Sequence, residues 1–347
     1  MRTLLTSDDV RAAVIGGAIL GGGGGGHIPD GLALGESAVT FGEVELWTID
    51  EFAPDDVIAI CAGVGAPGAP DMFLLPVHFL RALERLQDGG GPPVRGLATN
   101  ENGAMGTVNG WLQAAITGLP VVDAPCNGRA HPTALMGSLG LHRDPSFRAR
   151  AGFAGGKDER YVEGVVAGSL ASVSRSVREL SVVAGGVVAV ARNPVPARFL
   201  GENGCPGGIA QAIAVGRAHA RGGVDAVAGM LRGRVLASGP VEEFAMVQSG
   251  GFDVGSLRIG SLRSTFVNEY MTAEVDGVPQ AVFPDLMMTF AADDGTPLVS
   301  ADLAVGREVT FLAVDRSELL LSSTMAMDEL LAPVEELLGR PLRLAAV

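Results

Sequence analysis

Aromatic side chains are scarce: 13 Phe, 2 Trp and 2 Tyr in 347 residues. A core made from this chain must be close-packed from small aliphatic groups and many of its 50 glycines. Lys157 is the single lysine, the other basic residues being arginine, and the net charge is −14 with no basic stripe. That balance argues against nucleic acid and anionic membranes as partners. Cysteines number three, Cys61, Cys126 and Cys205, too few and too scattered for metal-ligand spacing or complete pairing, so reduced thiols in a cytoplasmic protein are expected. Mean hydropathy is high at +0.32, yet no stretch of 18 consecutive apolar residues occurs, so no membrane helix is expected. The N-terminus turns acidic at Asp8-Asp9 before any apolar run, which argues against a secretory leader. The five histidines are scattered along the chain; no metal and no cofactor are expected.

What is present is a strand–helix rhythm. Ser7-Asp8-Asp9-Val10 opens a helix that runs into six glycines, Gly21 to Gly26. The run lacks the Lys-Ser/Thr of a phosphate loop and follows a helix, so it reads as helix termination or as a wall that a ligand approaches closely. Strands are expected at 44–49, 57–62, 94–98 and 119–122, and helices at 76–87 and 109–117. The alternation predicts an α/β domain over residues 1–168 with a mainly parallel sheet. Residues 141–160 read as irregular, 161–183 as helical, 182–191 as a β-rich run and 209–221 as helical. From Gly229 onward short strands and turns predict an antiparallel, β-rich domain, so the second domain is set at 169–347, its helical segments at 169–222 able to pack back on the first.

In such sheets ligands bind beyond the carboxyl ends of the strands. Three polar or glycine-rich loops leave strand ends on this reading, at 63–71, 99–103 and 123–131. The last is the densest in reactive groups: Asp123, Cys126, Asn127, Arg129 and His131 within nine residues. Asp123 and Glu101 are candidate base and amidine ligands, Cys126 a candidate nucleophile and His131 a candidate proton shuttle. Arg129 is a candidate clamp for a carbonyl or carboxylate, with Asn100, Asn127, Asp71, Gly24, Gly25 and Gly207 as further binding positions. Each also has a structural reading. Asp123 can accept backbone N–H groups, Glu101 can pair with Arg129, His131 can be a buried neutral imidazole, and Cys126 can be a small packed hydrophobe.

Several stretches together resemble the S-methyl thiohydantoin desulfurase family. They are the helix and glycine run at 10–26, Val64-Gly65-Ala66-Pro67, Glu101-Asn102-Gly103, Gly118 to Asp123 and Gly128-Arg129-Ala130-His131-Pro132. The later half adds Gly250-Gly251-Phe252-Asp253-Val254-Gly255, Asn268-Glu269, and Phe283-Pro284-Asp285-Leu286 with Asp294-Gly295-Thr296-Pro297. Three stretches depart from the family pattern: Cys126-Asn127, Pro70-Asp71-Met72 and His131-Pro132-Thr133. The resemblance implies an α/β domain followed by a β-rich one. It also implies hydrolysis of an S-methylated thiohydantoin to the hydantoin, and so an expected hydrolase of a small cyclic S-alkyl isothiourea, thioamide or amide. Because ligand sites favour domain junctions, the site is expected there, within reach of Asn268 and Asp285 of the second domain. The alternatives are a non-catalytic or small-molecule-binding partner of a hydantoinase-like complex, and a lyase or isomerase of a biosynthetic pathway. The apolar, glycine-rich composition further suggests a homo-oligomer.

Overall fold

The structure is a computed structural model that describes residues 1–65, 69, 71–249 and 252–342. The remainder of the expected 63–71 loop, residues 250–251 of the second-half motif and the tail at 343–347 lie outside the described residues. The first elements are β1 (Arg2–Leu4), α1 (Ser7–Gly21), α2 (Ile28–Phe41), β2 (Glu45–Trp47), β3 (Val57–Gly65), α3 (Pro76–Asp88), β4 (Val94–Thr99), α4 (Trp111–Thr117) and β5 (Val121–Val122). They continue with β6 (Ala149–Gly155), β7 (Val162–Gly168), α5 (Leu170–Val183), β8 (Val187–Pro196), α6 (Ala197–Asn203) and α7 (Gly208–Met230). The cap of α1 is Thr6, one residue before the expected start. Its hydroxyl accepts the Asp9 N–H and Asp9 returns a bond to the Thr6 N–H, satisfying two orphan donors at once.

All eight strands form one sheet in the order β1-β2-β5-β4-β3-β8-β6-β7. Strands β2, β5, β4, β3 and β6 point one way, and β1, β8 and β7 the other. The first half of the chain is thus α/β, with a sheet that is parallel through its centre β2-β5-β4-β3 and antiparallel toward both edges. Two readings are corrected. Residues 149–155, expected to be irregular, form β6, and the start of the expected helix at 161–183 is strand β7, the helix beginning only at Leu170. β6 reads Ala-Arg-Ala-Gly-Phe-Ala-Gly, with hardly any β-branched residue to signal a strand. Gly152 is required there, because a Cβ would lie 2.2 Å from the Ala82 carbonyl of α3. Strand β8 pairs with β3, so residues beyond 168 complete the first sheet.

Side chains alternate along β3. Ala59 and Cys61 join a core with α1, α2, α3 and α4, while Ile58, Ile60, Ala62 and Val64 join a second core with α5 and α6. Helix α7 lies against α1 so closely that a Cβ on Gly16 would stand 1.7 Å from the Ala212 carbonyl oxygen, and one on Gly216 1.9 Å from that of Ala12. Small residues replace aromatic bulk by letting backbones touch.

The second half is rich in antiparallel strands. It comprises β9 (Arg234–Pro240), β10 (Glu243–Ser249), β11 (Phe252–Ile259), β12 (Leu262–Val267), β13 (Glu269–Val275), β14 (Val278–Val282), β15 (Leu286–Ala291), β16 (Pro297–Leu298) and β17 (Glu308–Val314), closed by α8 (Asp328–Leu338). They form a five-stranded meander, β10 to β14, and a four-stranded sheet in the order β16-β15-β17-β9. The Asp276-Gly277 turn joins β13 to β14 with both residues at positive φ, as a tight hairpin requires. Ile19 and Leu20 of α1 pack on Leu286, Met288 and Phe290, so the helix that enters the glycine run also docks the second domain. Among the described residues no helix is long and apolar enough to cross a membrane.

Candidate active site

The order β5-β4-β3 brings two of the three expected loops side by side. Beyond β4, Thr99 bonds the Gly106 carbonyl through its hydroxyl at 2.5 Å and folds the segment 100–106 back on itself. The segment beyond β5 then zips onto it: Cys126 N–H donates to the Thr99 carbonyl at 3.0 Å, Asn127 N–H to that of Asn100 and Asn102 N–H to that of Asn127, both at 3.2 Å. This pairing carries His131 to Glu101. The His131 N–H donates to Glu101 Oε2 at 3.3 Å, and His131 Nε2 stands 3.3 Å from the same oxygen.

Around this pair lies a cavity of about 530 Å³ walled mainly by residues 25–192, with Asn268 and Glu269 reaching it from the second half of the chain. Its polar lining includes Asn100, Glu101, Asn109, His131, Arg178, Arg192, Asn268 and Glu269. Gly25, Gly26 and His27 at the end of the glycine run form another part of the wall. Gly25 accepts the N–H groups of Met105 and Gly106 through its carbonyl, both at 3.1 Å, and so ties the run to the Glu101 loop.

One chain of hydrogen bonds sets the protonation of the site. Arg192 Nη2 donates to Asn100 Oδ1 at 2.6 Å, which turns the Asn100 amide nitrogen toward His131 Nε2 at 3.1 Å. His131 Nδ1 faces the Thr133 carbonyl at 2.9 Å. The network therefore assigns the ring proton to Nδ1 and leaves Nε2 as an acceptor. Burial, reinforced by the Arg192 charge, pushes the imidazole down to about 3. His131 is thus neutral at physiological pH and carries no second proton to shuttle.

Glu101 behaves in the opposite sense. Burial pushes its carboxyl up to about 7, opposed by the His131 N–H and the charges of Arg192 and Arg178. An ionised Oε2 also stands 3.3 Å from the lone-pair side of His131 Nε2, which adds to the cost of its charge. Glu269, on the first residue of β13, is 2% exposed. It is held well above the usual carboxylate range by burial and then by the Glu101 charge. Arg192 and Arg178 are both lowered by burial. Two carboxyls with displaced titration and two arginines thus share one cavity wall, an arrangement typical of acid–base chemistry.

Of the candidates from the sequence, Glu101, His131, Asn100, Gly25 and Asn268 line the cavity. The others lie elsewhere, each with a physical reason. Asp123 is a helix cap: its Oδ1 accepts the N–H groups of Ile209 at 2.8 Å and Ala210 at 3.2 Å at the start of α7. That bond also answers the case of Gly207, because the helix end expected to receive a ligand already holds a carboxylate of the chain itself. Replacing Asp123 by alanine should cost about 1–2 kcal/mol of stability, measured by denaturant unfolding; an unchanged midpoint would show that the cap contributes nothing.

Cys126 is fully buried, lines no part of the cavity, and burial pushes its thiol up to about 12. The nucleophile role is withdrawn on both counts. Burial raises Cys61 and Cys205 to about 12 as well. A thiol reagent at neutral pH should therefore label none of the three cysteines in the folded protein and all three in denaturant. Fast labelling of Cys126 in the native state would reopen the covalent route.

Asn127 is a strut, accepting from Ser322 Oγ at 2.5 Å and donating to the Met136 carbonyl at 2.8 Å. Asp71 pairs with Arg160 at 2.9 Å near the surface. Asp285 accepts from Arg316 Nε at 2.8 Å. Arg129 is fully buried beneath the glycine run and donates to the Pro284 and Asp285 carbonyls at 3.0 and 2.6 Å, so it clamps the second domain rather than a ligand. Gly24 lies under the cavity wall, where a Cβ would stand 2.0 Å from Glu269 Oε1.

Sequence reasoning missed Arg178, Arg192 and Glu269. Arg192 carried a signal, since a lone charge inside the run Val187-Val188-Ala189-Val190-Ala191-Arg192 is out of place in a buried strand. Glu269 stood in a quoted motif beside Asn268. Arg178, on an otherwise amphipathic helix, had none. Among the described residues no group of three or more His, Cys, Asp or Glu could hold a metal ion.

Both halves of the chain resemble known proteins. A crystal structure of a protein from Chromobacterium violaceum superposes with a TM-score of 0.72 at 24% identity over 97% of this chain and 96% of that one, which shows a shared fold. No curated protein matches the chain. Residues 8–155 match the S-Me-THD-like N-terminal domain and residues 169–333 the S-Me-THD-like C-terminal domain. With both domains present in order over nearly its whole length, the chain belongs to the S-methyl thiohydantoin desulfurase-like family.

Proposed function

We propose that the chain is a hydrolase that acts on a small cyclic S-alkyl isothiourea of the S-methyl thiohydantoin type, releasing a thiol and leaving a ring carbonyl. The observation that carries this reading is the Glu101 carboxyl, open to the cavity beside Arg178, Arg192 and Glu269, where burial pushes it up to about 7. A group poised there takes and returns a proton at similar cost, which is what both halves of such a reaction need.

In the first half, ionised Glu101 removes a proton from water as the water oxygen bonds to the ring carbon that carries sulfur, and the C=N electron pair moves onto the ring nitrogen. In the second, the carbon–sulfur bond breaks, its electron pair leaves on sulfur, protonated Glu101 returns its proton to the thiolate, and the proton of the remaining hydroxyl passes to the ring nitrogen as the carbonyl forms. Water supplies the oxygen of the new carbonyl, so no oxidant or reductant is required. Glu269, kept protonated by burial and by Glu101, can donate a hydrogen bond to a ring nitrogen or carbonyl. Arg192 and Arg178 offset the charge that builds on the ring and on Glu101. His131 holds Glu101 in place through its backbone N–H.

The test is turnover of an S-methyl thiohydantoin by the full chain, with methanethiol and hydantoin measured separately. Equal amounts of both products are expected. Absence of methanethiol with intact, folded protein would remove the reading.

A further inference from the structure

The cavity has a second wall that the proposed chemistry does not use. Phe73, Leu74 and Leu75, in the segment before α3, line it together with Phe79 of α3, Leu34 of α2 and Met105. The 530 Å³ volume falls among cavities that enclose drug-sized ligands, and a bare five-membered ring fills only a fraction of it. Residues 30, 33, 34 and 37 of α2 have the spacing of one helical stripe, and all four face the cavity. The charged member of that stripe is Asp30, a carboxylate, which repels an anionic tail passing beside Leu34.

From the unused volume and its apolar lining we infer that the ring substrate carries a bulky, uncharged apolar substituent, aliphatic or aromatic, seated against Phe73 to Leu75 and Phe79. The inference rests on the reading of the polar wall given above, since that wall is what holds the ring. Burial of a phenyl-sized group makes the bound ring tighter by about 50-fold relative to the bare one.

Equilibrium binding tests it without requiring turnover. Hydantoin, its 5-benzyl and 5-isobutyl derivatives and its 5-carboxyethyl derivative are titrated into the full-length protein by calorimetry. The expected result is a Kd for the benzyl compound about 50-fold below that of hydantoin, with the isobutyl compound between them and the carboxyethyl compound no tighter than hydantoin. Phe73→Ala, at a half-buried loop position that the fold tolerates better than the core position 79, should reduce the benzyl-to-hydantoin ratio at least fivefold. Binding of all four compounds with equal affinity, or tightest binding of the carboxyethyl compound, overturns this inference and leaves the polar wall intact. If none of the four binds to folded protein, the reading of the polar wall fails and the inference falls with it.

Discussion

Glu101→Gln is expected to lower kcat/KM by about 10²–10⁴-fold and, at alkaline pH, to make the protein more stable. The two effects share one cause. Burial lifts the carboxyl from its ordinary value of 4.5 to about 7, so the folded chain holds this proton more tightly than the unfolded chain does. For a group raised in this sense the stabilising contribution is complete below pH 4.5 and is lost as pH rises through about 7. The wild type therefore pays for a buried charge above pH 7, by up to about 3 kcal/mol at 1.36 kcal/mol per pH unit, and the glutamine variant does not.

Denaturant unfolding of both proteins at pH 5 and pH 9 measures this. The gap in favour of Glu101→Gln should open between the two values. In the wild type, log kcat/KM should rise with unit slope up to an apparent pKa of about 7 and then level off. Since His131 stays neutral well below that range, the limb belongs to the carboxyl. Identical pH dependence of stability in both proteins would sink the assignment, whatever happened to turnover.

Within the glycine run, alanine at position 25 and alanine at position 24 should fail differently. Gly25 has φ +81, and a Cβ there would meet the Gly103 backbone Cα at 2.5 Å and the Ala130 Cβ at 3.2 Å. Left-handed strain of about 1–2 kcal/mol adds to a clash with main chain that cannot step aside. A loss of roughly 3–5 kcal/mol is expected, enough to unfold a marginal protein. At Gly24 the three nearest atoms belong to the Glu269 side chain, with Cδ at 2.6 Å and Cγ at 3.0 Å behind Oε1. That chain can turn away, so Gly24→Ala should fold and lose activity instead.

Gly118→Ala separates strain from crowding. Position 118 has φ +72 with nothing within 4 Å of a Cβ, so only about 1 kcal/mol should be lost. Thermal unfolding and turnover of the three variants decide the matter. A Gly25→Ala protein no less stable than Gly118→Ala would show that the run is a passive linker.

Much of the α/β half was legible because its signals are local. Val57 to Ala62 is long and apolar enough for a buried strand, Phe79, Leu83 and Leu86 fall on one helical stripe, and Gly118 ends α4. The adjacency of the 99–103 and 123–131 loops follows from strand order in a sheet of βαβ units. Which members of those loops face a ligand did not follow. Asp123 and Glu101 both lie just past strand ends, yet one points to the N-terminus of a helix 85 residues later in the sequence and the other to the cavity. Local composition cannot distinguish them, since burial and hydrogen bonding by remote segments set each carboxylate's task.

The sequence by itself determined the class of the fold, the family, the alternation that lays polar loops on one sheet edge, and the need for close backbone approach at the glycine run. Only the tertiary structure decided that β6, β7 and β8 complete the first sheet, that Arg192, Arg178 and Glu269 join Glu101, and that the cysteines stand apart from the cavity. The division has a physical origin. Helix and strand formation depend on neighbours a few residues away, whereas the charge state of a buried group depends on every dipole and ion packed around it, and here those come from α5, β8 and β13.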